Sequence, residues 1–66
     1  MKLYIYNNRY GKSAINVHAI TSIWAEGDKS LYYTIPGSSR MCQMDFLSKE
    51  ARDLELNNII KMMQEP

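Results

Sequence analysis

His18 is the only histidine of the chain and Cys42 the only cysteine. Together they are the parts of a thiol–imidazole dyad, in which a base draws the proton from the thiol. Such a dyad also needs a group that orients the base and a cleft that holds a substrate. No motif supplies either. Met41 and Met44 stand beside Cys42, which reads as a buried structural thiol. His18 reads as a turn or edge residue. Ser13, Ser22, Ser30, Ser38, Ser39 and Ser48 sit in no Gly-x-Ser-x-Gly context, so a nucleophile elbow is not indicated. Gly11-Lys12-Ser13 echoes the end of a phosphate-binding loop but lacks the earlier glycine and a following helix. Glu26 and Asp28 flank a turn and read as solvated acids. One histidine and one cysteine cannot close a zinc site within one chain. A glycosidase would need two acids converging across a cleft, which so short a chain is not expected to build. The expectation is a protein that is not an enzyme, with no catalytic residue, no metal ligand and no cofactor.

Aromatic side chains are the chemistry that remains: Tyr4, Tyr6, Tyr10, Trp24, Tyr32, Tyr33 and Phe46. Tyrosine and tryptophan bury much area and keep a polar tip, which suits interfaces. One helix covers only one face of a small sheet, so some of these rings are expected at the surface. Tyr4, Tyr6, Trp24 and Tyr32 are the candidate contact residues. Arg9, Lys12 and Arg40 are the cations that would pair a phosphate or an acidic partner.

These side chains must be positioned by 66 residues, one domain spanning the whole of 1–66. A chain of that size buries only about 60% of its unfolded surface. Small domains then draw on disulfides, metals or oligomerisation. A single cysteine excludes an internal disulfide, which leaves self-association. The net charge of +1 is small for a dedicated nucleic-acid binder. The charge divides unevenly. Lys2, Arg9, Lys12, Lys29 and Arg40 outnumber Glu26 and Asp28 before Met41, and acids prevail after it. No stretch has the length of a secretory apolar region or the roughly 20 apolar residues of a membrane span. With a free thiol, this points to the cytoplasm.

Alternation and turn chemistry then predict the elements. Leu3–Tyr6 alternates aliphatic and aromatic residues, with Leu3 and Ile5 on one face and Tyr4 and Tyr6 on the other. Asn7, Asn8 and Gly11 suit a turn into a second strand over Ser13–Val17. Ile20 and Ile23 have the wrong parity for one flat face, so a turn near Asn16–Ala19 resets the register. A third strand runs over Ile20–Glu26 and a fourth, beyond Gly27-Asp28, over Ser30–Ile35. Pro36-Gly37 has the residues of a type II turn, followed by a fifth strand over Arg40–Phe46. Ser48 is an N-cap for a helix over 49–64, with Leu56, Ile59, Ile60 and Met63 as its apolar stripe. Strands lie within 2–46. The fold class is α+β: a small antiparallel β-meander of about five short strands closed by one C-terminal amphipathic helix. The helical stripe is expected over Leu3, Ile5, Ile15 and Ile23, with the tyrosine face outward.

The spacing of Gly11-Lys12, Asn16, Ile20 and Ile23, then a turn, an aromatic strand, a turn and a closing helix, resembles small FlbD-like bacterial proteins. More loosely it resembles the strand-rich DNA-binding domains of some response regulators. No functional residue transfers through that resemblance. The functional expectation therefore rests on composition: a small non-enzymatic binding protein that self-associates, at least as a dimer joined through strand faces or edges. It would act by occupying a protein partner, in the manner of a phage or mobile-element inhibitor of a host factor. Two alternatives use the same aromatics. One is a β-platform stacking single-stranded nucleic acid. The other is sequestration of a small nucleotide between subunits. No membrane partner is expected.

Overall fold

A computed structural model describes residues 2–8, 11–37 and 39–66, with Asn8 described by its backbone alone. Arg9, Tyr10 and Ser38 lie outside the described residues. Two strands, β1 (Leu3–Asn8) and β2 (Gly11–Asn16), pair antiparallel with Leu3 opposite Asn16 and Asn8 opposite Gly11. A single 3-10 turn over Val17–Ala19 follows. Then β3 (Ser22–Glu26), β4 (Ser30–Thr34) and β5 (Cys42–Asp45) form a second antiparallel sheet in the order β3-β4-β5. The helix α1 (Lys49–Gln64) closes the chain. The expected α+β fold of five short strands and one helix is present, with the meander divided into a two-stranded and a three-stranded sheet.

The division sits where the alternation fails. Asn16 accepts a hydrogen bond from the His18 backbone N–H at 3.1 Å and so caps the 3-10 turn. Val17 and Ile20 are buried on either side of it. This is the reset expected over Asn16–Ala19. It moves the start of the third strand from Ile20 to Ser22, because Ile20 ends the turn as its C-cap. Gly27 and Gly37 hold φ of 68° and 80°, the left-handed values their turns require.

Period two assigns the faces of the three-stranded sheet. Trp24, Tyr32 and Gln43 lie in one cross-strand row, and Ala25, Leu31 and Met44 in the next. Leu31 and Met44 are fully buried. They meet Val17, Ile20, Tyr4 and Ile59 in one core. Ser48 caps α1 as expected, its hydroxyl accepting from the Ala51 N–H at 3.1 Å. Ile59 is the buried centre of the helical stripe, and Leu56, Met62 and Met63 pack against the core around it.

One face assignment is reversed. Tyr4 points into the core and is 9% exposed, while Leu3 and Ile5 are 47% and 50% exposed. The phenol ring carries as much apolar area as an aliphatic side chain, and its hydroxyl also reaches the Glu55 carboxylate of α1 at 2.8 Å. Leucine or isoleucine there would leave that carboxylate with only the Asn58 amide, 3.3 Å from its other oxygen. Of the residues expected under the helix, Ile15 and Ile23 do pack against the core.

Candidate interaction surface

The reversal decides what the surface offers. Tyr6 follows Tyr4 inward. Its hydroxyl donates to the Asp45 carbonyl at 2.8 Å and accepts from the Asp45 N–H at 2.9 Å. One phenol thus satisfies both backbone groups that Asp45 turns away from β4. The Tyr6 and Phe46 rings meet at 5.7 Å between centroids, tilted by 56°. These contacts fasten the β1–β2 hairpin to the end of β5.

Between them opens a groove of about 920 Å³. Tyr4, Ile5, Tyr6 and Asn7 line one side, and Gln43, Asp45, Phe46, Leu47, Ala51 and Glu55 the other. Leu47 stands at its mouth and is 94% exposed. The sequence carries a signal for this exposure. Leu47 directly precedes the N-cap Ser48, the place from which an apolar residue packs on the fourth helical residue. That residue is Arg52, a cation in place of the apolar partner. Its guanidinium is turned elsewhere: Nη1 donates to the Gly27 carbonyl at 3.2 Å and the Ser30 carbonyl at 3.0 Å, and Nε to Asp53 at 2.7 Å.

The outer face of the three-stranded sheet holds the second aromatic group. Trp24 and Tyr32 stack at 6.0 Å and 19°. Glu26 accepts from the Trp24 indole N–H at 3.4 Å. Gln43, in the same row, donates to Asp45 Oδ1 at 2.9 Å, which also accepts from the Ser30 hydroxyl at 2.7 Å. Glu26, Ser30 and Asp45 form the adjoining cross-strand row, so both carboxylates lie at one end of the stacked pair.

The predicted contact residues fall into separate places. Tyr4 is buried, Tyr6 lines the groove, and Trp24 and Tyr32 share the outer sheet face. Lys12 is exposed on β2, and Arg40 is exposed ahead of β5. Arg9 lies outside the described residues. Tyr4 and Tyr6 thus form no common platform with Trp24 and Tyr32. Leu47, Ile5, Phe46, Gln43 and Asp45 are the surface residues that the sequence reading passed over.

The components of the conceivable dyad are otherwise engaged. The His18 ring Nε2 is 2.8 Å from the Glu65 carbonyl. Cys42 is a free, half-buried thiol beside Tyr33. Burial, with the Cys42 thiol adding to it, pushes the Tyr33 phenol up to about 12. Burial first, then the hydrogen bond to Glu55, holds the Tyr4 phenol well above its ordinary range. Among the described residues, no group of three or more histidine, cysteine or acidic side chains is placed to hold a metal ion. Among the same described residues, no helix is long and apolar enough to cross a membrane. Comparison with family models, with curated proteins and with solved structures returns no match.

Proposed function

We propose that this chain is a small non-enzymatic binding protein that self-associates and acts by occupying a protein partner at the groove between β1 and the β5–α1 junction. One observation carries the reading: the groove is rimmed by Leu47, 94% exposed, and walled by the Tyr6 and Phe46 rings. An apolar anchor beside aromatic walls and a few fixed polar groups is the composition of a protein-binding patch. Tyr6, Asp45, Gln43 and Glu55 supply those polar groups.

The test is recovery of native complexes from cells that express the tagged full chain, wild type beside Leu47→Asp. Because Leu47 is exposed, the variant is expected to keep the wild-type circular dichroism spectrum. A partner held by the wild type at fixed stoichiometry and lost from Leu47→Asp is expected. Identical recovery with both chains would overturn the groove as the site.

A second reading is stacking of a nucleobase, in single-stranded nucleic acid or a captured nucleotide, on Trp24 and Tyr32. Their 6.0 Å stack on an open sheet face favours it. Glu26 and Asp45 beside the pair oppose a phosphate, and so it ranks second.

A further inference from the structure

We propose that a second copy of this chain pairs with the outer edge of β1, antiparallel, joining two hairpins into a four-stranded sheet of order β2-β1-β1-β2. The inference rests on the self-association in the proposed function and supplies its geometry.

Backbone parity comes first. The Val17 N–H donates to the Lys2 carbonyl at 3.1 Å, continuing the β1–β2 register by one pair. Hydrogen-bonded and non-bonded pairs alternate in an antiparallel ladder. Tyr4 and Tyr6 therefore turn their backbone groups toward β2. Leu3, Ile5 and Asn7 turn theirs the other way, to an edge where β1 has no neighbouring strand among the described residues.

Exposed edges are ordinarily guarded by charge, proline, a bulge or a covering group. Two of the other edges are guarded. Lys12 stands on the outer edge of β2. At β5 the Tyr6 hydroxyl takes up both backbone groups of Asp45. β1 reads Leu-Tyr-Ile-Tyr-Asn-Asn, with no charge, no proline and no glycine. Its edge residues Leu3 and Ile5 are half-exposed. A two-stranded ribbon is also marginal, and a third strand is what stabilises it.

The edge fits itself. A two-fold axis through Ile5 places Ile5 opposite the partner's Ile5, and Leu3 opposite the partner's Asn7. Each of these is a hydrogen-bonded pair, so every outward N–H and C=O of Leu3, Ile5 and Asn7 finds a partner. The two isoleucines become direct cross-strand neighbours on one face. Ile5 and Asn7 also line the groove, so the second copy and a groove-bound partner compete for its β1 wall. An edge contact of this length falls below about 1,200 Å², the low end of stable interfaces, so the dimer dissociates on dilution.

The experiment uses the full chain and charge variants at the axis. Wild type is expected to sediment as a concentration-dependent dimer. Ile5→Lys and Ile5→Glu each place like charges face to face and should weaken association more than tenfold. An equimolar mixture of the two should restore a dimer containing one of each. In parallel, amide hydrogen exchange of the concentrated wild type should show protection at Leu3, Ile5 and Asn7 that disappears on dilution. This readout does not depend on how the variants fold. A wild-type dimer with those three amides exchanging freely, and with Ile5→Lys still dimeric, overturns the β1 edge while leaving self-association standing. A wild type monomeric at high micromolar concentration overturns both.

Discussion

Tyr4 performs two tasks that are usually divided between residues. Its ring belongs to the core and its hydroxyl pairs with Glu55 on the helix. Burial and that bond raise its pKa above the ordinary 10.0, and Tyr33 is raised to about 12. The sign of the pH effect follows. Below about pH 10 both phenols are neutral whether the chain is folded or not, and their contribution is fully present. Above it the unfolded chain loses these protons first, so stability falls as the pH climbs toward the folded-state values. Urea midpoints measured from about pH 8 to about pH 12 should decline steadily. The decline should be shallower in Tyr4→Phe, which at neutral pH loses about 0.5–1.5 kcal/mol for the missing hydrogen bond. A flat profile over that range would count against the burial of these rings.

Arg52 acts at the scale of the element. It is 3% exposed, and its guanidinium binds the Gly27 and Ser30 carbonyls across the β3–β4 turn. It ties the first turns of α1 to the hairpin beneath. Asp53 accepts from its Nε at 2.7 Å, so the buried cation is paired on one side and hydrogen-bonded on the other. Arg52→Met keeps most of the apolar stem but strands two carbonyls. It should destabilise the chain by about 1–3 kcal/mol, read from urea denaturation. Arg52→Lys should recover little of this, because one ammonium lacks the second nitrogen that holds Asp53 while Nη1 holds the two carbonyls. Full recovery by lysine would mean that charge alone, not donor geometry, holds the turn.

The whole molecule is a three-stranded sheet and helix around one core, with a hairpin fastened to it through Tyr4 and Tyr6. Its net charge is +1, and the cations gather on no single face: Lys12 lies on β2, and Lys49, Arg52 and Lys61 on α1. The half-buried aromatic pair Trp24–Tyr32 has two carboxylates, Glu26 and Asp45, in the row beside it. Electrostatic affinity for nucleic acid is greatest at low salt and only falls as salt rises. Filter binding to a single-stranded oligonucleotide at about 20 mM salt is therefore expected to give no retention. Retention at that salt, abolished by Trp24→Ala, would place base stacking ahead of the groove.

What the sequence determined by itself was local. The turn glycines, the Ser48 cap, the helical stripe and the parity break at Asn16–Ala19 depend on φ preferences and hydrogen bonds between residues a few positions apart. These read directly from residue types. Tertiary structure alone decided which face of β1 is inside. Leu3 and Ile5 offer about the same apolar area as Tyr4 and Tyr6, so hydrophobicity leaves the two faces nearly degenerate. The choice fell to hydroxyl partners far along the chain, Glu55 for Tyr4 and Asp45 for Tyr6, separated by 51 and 39 residues. The candidate site followed from that choice. With the tyrosines drawn inward, Ile5 and Leu3 were left on an open edge and Leu47 at the mouth of a groove. No pattern within β1 encodes the outcome, because the groups that settle it lie on β5 and α1.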